Sequence, residues 1–410
     1  MKRFQSLFLV GAITLCSIAS WAQTGPSLSP AGASEIDSIV KRAVEQRTVP
    51  GVVVAIANKD RVLYYKSFGL MDVAKQKPMT NDAIFRIASM TKPVTSAAIM
   101  MLVEQGKLKL DDPVSKYLPS FTGREMIATF NAADAAYTTK KANQEVLIRH
   151  LLTNTSGFAY LFSNDTSNRL QQKTGKPPEE LPLLYEPGTR WTYSSSTKVL
   201  GYVIEKITGM TLDKFDDEKI FRPLQLLDTF YTVPPSKMNR VVTIHRRENG
   251  KLIEVANTEK LESPVAGDGG INSTAADYIK FLQMFLNDGK LGGATLLKKD
   301  SIDTMTRNQI GDVIVQTQKT TDPLRSLDFP IGAGRDKFGF GFQIATSNKE
   351  NPNLRSPGSY TWAGIYNTHF WVDPKRQIAG VIMMQVLPFY DEACMKVYQD
   401  VEAAIGKNLK

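Results

Sequence analysis

The sequence predicts an α/β fold of the α+β kind: one antiparallel sheet built from both chain ends and flanked by helices, with a mostly helical domain inserted. Three observations point to it. Runs rich in β-formers lie near the two ends, at 52–57 and 62–67 and again at 338–345, 360–372 and 377–386. Between them, from about 118 to 292, helical patterns alternate with loops rich in Pro, Gly and Asn. Finally, a segment apolar on nearly every helical face, ending near Gly106, belongs in the middle of a molecule. The expected organisation is a sheet domain from 35–115 and 325–410 with 116–324 inserted, a size that the 410 residues accommodate with ample core.

Taken in order, the chain opens with Lys2 and Arg3, an apolar run over 8–18 and Ser20-Trp21-Ala22. That is the pattern of a signal peptide over 1–22, so a secreted or periplasmic protein is expected. The apolar run is too short for a membrane span and no later segment is a candidate. Cleavage after Ala22 leaves Cys394 without a disulfide partner, as a buried small hydrophobe. Over 31–47, Ile36, Ile39, Val40 and Val44 mark a helix that Pro50-Gly51 stops. The turn Asn58-Lys59-Asp60-Arg61 joins the first two strands in a hairpin. In the central helix Val94, Ala97, Ala98, Met101 and Leu102 fall at helical spacing, and Pro93 is tolerated only in a first turn, so the helix starts at about Ser89. Further helices are expected over 145–152, over 197–207 before Gly209, and over 274–286, where Thr274 and Asp277 read as a capping box. The run Gly267-Asp268-Gly269-Gly270 lacks a preceding strand and a Lys-Ser/Thr, so it reads as a turn and not as a phosphate loop. Asp373-Pro374-Lys375 joins the last two strands, and a helix over 391–405 closes the chain.

The formal net charge of +9 comes from scattered basic residues, not from blocks. Nucleic-acid binding is therefore the poorer account of it, and an anionic envelope surface or solubility explains it equally well.

Ser89 and Lys92, three apart on one helical turn, share a face and can touch. A hydroxyl and an amine together at the start of a buried helix suggest an activated nucleophile. The spacing alone is weak, because Ser38 with Lys41 and Ser195 with Lys198 repeat it. A second element is Tyr193, on a short extended run just before a helix that a serine caps. Its hydroxyl could exchange a proton with a nucleophile or accept a hydrogen bond from Lys92; the plainer reading is a core aromatic. A third is the strand holding Trp362, Gly364 and Tyr366, which alternation places on one face, with a glycine where a ligand could approach the backbone. No Gly-x-Ser-x-Gly occurs, so a nucleophile elbow is absent. Three histidines (His150, His245, His369) in no ligand-like spacing disfavour both a zinc site and a Ser-His-Asp triad, and no metal or cofactor is implied.

Ser89-x-x-Lys92, Tyr193-x-Ser195 and Trp362-x-Gly364, in that order, together resemble the serine β-lactamase-like superfamily, which includes the penicillin-binding proteins. Family VIII carboxylesterases and class C β-lactamases are the branches most similar to this chain. The phrases His150-Leu-Leu-Thr-Asn-Thr-Ser-Gly157, 267–274 and Phe370-Trp-Val-Asp-Pro374 are similar too, and the resemblance runs from Ile36 to Val401. It implies Ser89 as the acylated nucleophile and Lys92 with Tyr193 as general base and acid. A free lysine or tyrosine titrates at about 10, so desolvation or a neighbouring charge must bring one into range. It also implies an oxyanion hole from the backbone N–H groups of Ser89 and Ile365, with Ser195, Trp362, Gly364 and Tyr366 binding substrate. Trp362 stands where lactamases and peptidases carry a lysine, and Ser195 where an asparagine is common. That departure favours neutral esters with short or medium acyl groups over β-lactams, so the expected activity is that of a carboxylesterase acting on a small molecule. The competing expectations are a β-lactamase or D-Ala peptidase with the same chemistry, a transacylase, and a non-catalytic envelope protein that binds peptidoglycan or β-lactams.

Overall fold

Strand β1 (Gly51–Asn58) is buried along its whole length, which is why its sequence is continuously apolar instead of alternating. The computed structural model describes residues 25–255 and 264–410; the expected signal peptide lies outside the described residues. Beside β1 run β2 (Val62–Asp72) and β3 (Lys77–Pro78) on one side. On the other side lie β8 (Ile378–Met383), β7 (Thr368–Asp373), β6 (Tyr360–Gly364), β5 (Gln343–Ile344) and β4 (Lys337–Phe338). The resulting order is β4-β5-β6-β7-β8-β1-β2-β3, antiparallel throughout. Both chain ends therefore build one sheet, and they meet where Val53 faces Met383.

Side chains alternate across β1 into two cores. Val52, Val54 and Ile56 pack with Ile36 and Val40 of helix α1 (Pro30–Glu45) and with Val397 and Val401 of the C-terminal helix α5 (Glu392–Asn408). Val53, Ala55 and Ala57 face α2 (Thr91–Glu104) and α4 (Ala275–Leu286). Each such apolar side chain, fully buried, contributes about 1.5–3 kcal/mol. Helix α2 is buried from Thr91 through Met100, as its all-round apolarity requires. Thr274 caps α4 by accepting from the Asp277 N–H at 3.2 Å, while the Asp277 carboxylate turns away to the Asp228 N–H at 2.6 Å.

Several strand readings need correcting. Residues 338–345 form a hairpin and not one strand, because the chain turns at Gly341 (φ +86°), where a Cβ would lie 2.5 Å from Ser96 Oγ. Residues 360–372 are likewise two strands, β6 and β7, joined through Ile365, Tyr366 and Asn367 (φ 59°). Tyr366 therefore lies in a turn, not on the face of Trp362 and Gly364. The run 377–386 ends as β8, and Val386–Leu387 instead pairs in parallel with His245–Glu248. The middle of the chain also contains a hairpin, Glu125–Asn131 with Ala136–Lys141, where the sequence predicts helices and loops. Its strands are half-buried or exposed throughout, so burial does not mark them.

Candidate active site

A 3₁₀ turn, Ala88–Met90, leads into α2 and presents Ser89, half-buried, at the helix start. Ala88 holds φ 44°, a left-handed conformation that costs a non-glycine residue about 1–3 kcal/mol. The surroundings hold the turn in place: the Tyr278 hydroxyl donates to the Met90 carbonyl at 2.9 Å, and the Ile271 N–H donates to Thr91 Oγ1 at 3.3 Å.

Lys92 is among the largest fully buried side chains in the protein. A buried amine must find hydrogen-bond partners, and three are present. Its Nζ lies 3.3 Å from Ser89 Oγ, 2.9 Å from the Tyr160 hydroxyl and 2.8 Å from the Asp268 carbonyl. It also sits 4.8 Å from the centre of the Tyr193 ring and 5.1 Å from that of Tyr160, where an aromatic face favours a cation. Tyr160 in turn donates to Asp268 Oδ2. Burial first, and then the neighbouring Asp268, push the Tyr160 phenol well above its ordinary value, so it stays protonated.

Tyr193 is delivered by the run before α3 (Ser196–Thr208). Its carbonyl accepts from the Tyr160 N–H at 3.1 Å, the two rings lie 4.9 Å apart, and its hydroxyl accepts from Trp362 Nε1–H at 3.4 Å. The adjoining serines are mainly structural. Ser194 and Ser196 link through their hydroxyls at 2.7 Å, Ser196 reaches Ser156 at 2.7 Å, and Ser194 reaches Asn154 at 3.1 Å. This chain of hydroxyls pins the Tyr193 run to the 150–157 segment. Ser195 is buried, its hydroxyl has no hydrogen-bond partner among the described residues, and it makes no side-chain cap on α3.

Gly364 ends β6 against the turn that holds Ser89: a Cβ there would lie 2.3 Å from the Ile87 carbonyl oxygen. This brings Ile365 beside Ser89 in one cleft of about 320 Å³, which Arg86, Tyr160, Arg325 and Tyr366 also line. Trp362 is buried behind the cleft among Trp191, Tyr193 and Phe338. It is thus a neighbour of Tyr193 and not of the opening.

The sequence reading passed over Tyr160 and Asp268. Tyr160 follows closely on the phrase ending at Gly157, which offered a signal. Asp268 sits in the glycine run read only as a turn. Those glycines serve close approach: a Cβ on Gly267 would lie 2.4 Å from the Thr197 carbonyl oxygen, so the run threads between α2 and α3 and aims Asp268 at Lys92. The histidines stay outside this site. Burial pushes His150 down to about 4 and His369 to about 3, and it lowers His245 as well. Among the described residues no group of three or more His, Cys, Asp or Glu is placed to hold a metal ion. No helix among them is long and apolar enough to cross a membrane.

An eight-stranded antiparallel sheet between helical layers, with Ser-x-x-Lys at the head of the buried helix, defines the fold class of β-lactamases and penicillin-binding proteins. The sequence profile of the Beta-lactamase family matches residues 36–405, and the chain belongs to that family. It is 30% identical to Protein Rv1367c of Mycobacterium tuberculosis over 389 residues, covering 90% of this chain and 92% of that one. It is 27% identical to Esterase EstB of Burkholderia gladioli over 394 residues, covering 87% and 91%. Its fold is similar to that of a mutant of simvastatin synthase from Aspergillus terreus, at a TM-score of 0.79 and 24% identity, covering 92% and 95%. With esterases and acyltransferases as its homologues, the protein is a serine hydrolase of the β-lactamase fold.

Proposed function

We propose that the protein is a carboxylesterase acting through an acyl-enzyme on Ser89, with short- to medium-chain acyl esters as substrates. The observation that supports this best is Lys92 Nζ at 3.3 Å from Ser89 Oγ, with Ser89 itself lining a cleft. Ser89 Oγ attacks the ester carbonyl, and its proton passes to the Lys92–Tyr193 pair. The N–H groups of Ser89 and Ile365 stabilise the oxyanion. The same pair then protonates the departing alcohol, leaving acyl-Ser89. Water, or an acceptor alcohol, attacks next and restores Ser89. Transfer to an acceptor is in keeping with the ML-236A carboxylate methylbutanoyltransferase of Penicillium citrinum, 27% identical over 412 residues. On this reading Tyr160 and Asp268 hold the Lys92 amine against Ser89, while Trp362 supports Tyr193. The signal-peptide pattern over 1–22 supports a mature enzyme outside the cytoplasm, secreted or periplasmic.

The test is intact-mass spectrometry after brief mixing with 4-nitrophenyl acetate and, separately, with a β-lactam. Ester turnover with a transient acyl adduct on Ser89 is expected, with little β-lactam adduct. A stable β-lactam adduct without ester turnover would shift the function to a β-lactam-binding peptidase. No adduct with either would leave a peptidoglycan-binding envelope protein.

A further inference from the structure

The cleft beside Ser89 contains a cation that the acyl-transfer steps do not use. Arg325 lines the cleft with Ser89 and Tyr366, and its side chain is exposed. Its guanidinium lies 5.3 Å from the centre of the Phe162 ring, and no carboxylate among the described residues pairs with it. By contrast, Arg247 pairs with Asp391, Arg355 with Glu402, and Arg86, which also lines the cleft, donates to the Val242 carbonyl at 3.2 Å.

The position of Arg325 is fixed by its backbone. Its N–H donates to the Asp322 carbonyl at 3.0 Å and its carbonyl accepts from the Phe389 N–H at 2.9 Å. Thr321 ties the same loop to the opposite wall, donating from its N–H to the Phe162 carbonyl at 2.9 Å and from its hydroxyl to the Leu161 carbonyl at 2.6 Å. The Phe162 ring stacks on Tyr160 at 5.2 Å, and Tyr160 touches Lys92. The guanidinium therefore lines the cleft two rings away from the Lys92 amine. Among the described residues the one carboxylate lining this cleft is Asp268, which Tyr160 already engages. A planar, permanently charged fork facing open space matches a carboxylate, which it can bind through two parallel hydrogen bonds.

Building on the esterase reading, we infer that the substrate carries a carboxylate, which Arg325 captures in the cleft while the ester carbonyl reaches Ser89. Arg325 then supplies, from the loop before Phe329, the cation that Trp362 leaves absent on β6. The neutral-ester expectation is thereby narrowed to esters with one anionic end, on either the acyl or the alcohol portion.

The test compares kcat/KM for 4-nitrophenyl acetate, 4-nitrophenyl hemiglutarate (carboxylate on the acyl side) and 4-acetoxybenzoate (carboxylate on the leaving group). It is run on the natural protein and on Arg325→Gln, Arg325→Glu and Arg325→Lys. One anionic ester should be preferred, and its kcat/KM relative to the neutral ester should fall about 10-fold in Arg325→Gln. The ratio should fall further in Arg325→Glu and recover in part in Arg325→Lys. Which ester responds identifies the end that bears the charge. A ratio within about twofold of the natural protein's in Arg325→Glu overturns the assignment. Glutarate binding, followed by intrinsic fluorescence, separates this failure from failure of the esterase reading. Binding that is lost in Arg325→Glu upholds the carboxylate site even if no ester is cleaved, and absence of both binding and anionic preference removes it.

Discussion

The Tyr160 hydroxyl stands between the Asp268 carboxylate, to which it donates, and Lys92 Nζ, from which it accepts at 2.9 Å. Its single proton is committed to Asp268, so its lone pairs face the amine. Burial keeps that phenol protonated well above its ordinary range. Tyr160 therefore holds the lysine and does not act as a base. Tyr160→Phe should lower kcat by roughly 10- to 100-fold while leaving the limbs of the pH–rate profile in place. A shifted limb would instead make Tyr160 a proton carrier. Because Asp268 works through the same hydroxyl, Asp268→Asn and Tyr160→Phe should not add. A double-mutant cycle on kcat/KM should show coupling of about 1 kcal/mol or more, and additive losses would separate the two roles.

Tyr193 differs from Tyr160. Among the described residues it has no carboxylate partner, and its hydroxyl accepts a long contact from Trp362 at 3.4 Å, which leaves it available to exchange a proton. Ser89→Ala should abolish turnover, and Tyr193→Phe should cost about 10²–10⁴-fold in kcat, both with unaltered circular dichroism. Near-normal rates in Tyr193→Phe would assign proton transfer to Lys92 alone.

The parts of this arrangement that the sequence disclosed are those set by local pattern. Pro93 located the start of α2, the apolar faces from Val94 to Leu102 located its burial, and the spacing of Ser89 and Lys92 put their side chains in contact. The continuous apolar run of β1 gave its place between two layers. What escaped depends on distant chain segments meeting. Asp268 reaches Lys92 from 176 residues away, and nothing next to it in sequence distinguishes it from an ordinary turn residue. The hairpin over 125–141 escaped because it has no buried face, and the split of 360–372 because Asn367 supplies the left-handed turn where a strand-like apolar pattern continues. Arg325 escaped because an exposed arginine in a loop is commonplace until its surroundings are known.

Gly364 offers a sharper test of how the sheet and the Ser89 turn are joined. A Cβ at this position would lie 2.3 Å from both the Ile87 carbonyl oxygen and Thr368 Oγ1, and the former is backbone that cannot swing aside. Ile87 begins the turn that holds Ser89, so the added methyl must part β6 from that turn and widen the gap between Ser89 and Ile365. Misplacing one oxyanion donor costs about 10²–10³-fold in kcat. Gly364→Ala should show a loss of this order together with a lowered melting temperature. Full activity would place the oxyanion donors elsewhere.

Asp216 provides a pH-dependent prediction away from the site. It is fully buried, accepts from the Tyr231 hydroxyl at 2.9 Å through Oδ2, and its Oδ1 has no partner among the described residues. Burial, with a smaller contribution from Asp213, pushes its carboxyl up to about 7, against the hydrogen bond from Tyr231 that favours ionisation. In the unfolded chain the same carboxyl titrates at about 4. Between these values the folded protein holds a proton that the unfolded chain has released, so rising pH favours unfolding. The contribution is fully present below about pH 4 and is lost as pH rises through about 7, amounting to at most about 4 kcal/mol. Asp216→Asn keeps the shape and the acceptor for Tyr231 but cannot ionise. Urea unfolding at pH 5 and pH 8 should show the natural protein losing about 2–4 kcal/mol more than the variant across that interval. Equal pH slopes in the two proteins would mean that Asp216 is already ionised when folded, its charge met by a partner that the buried Oδ1 lacks in this structure.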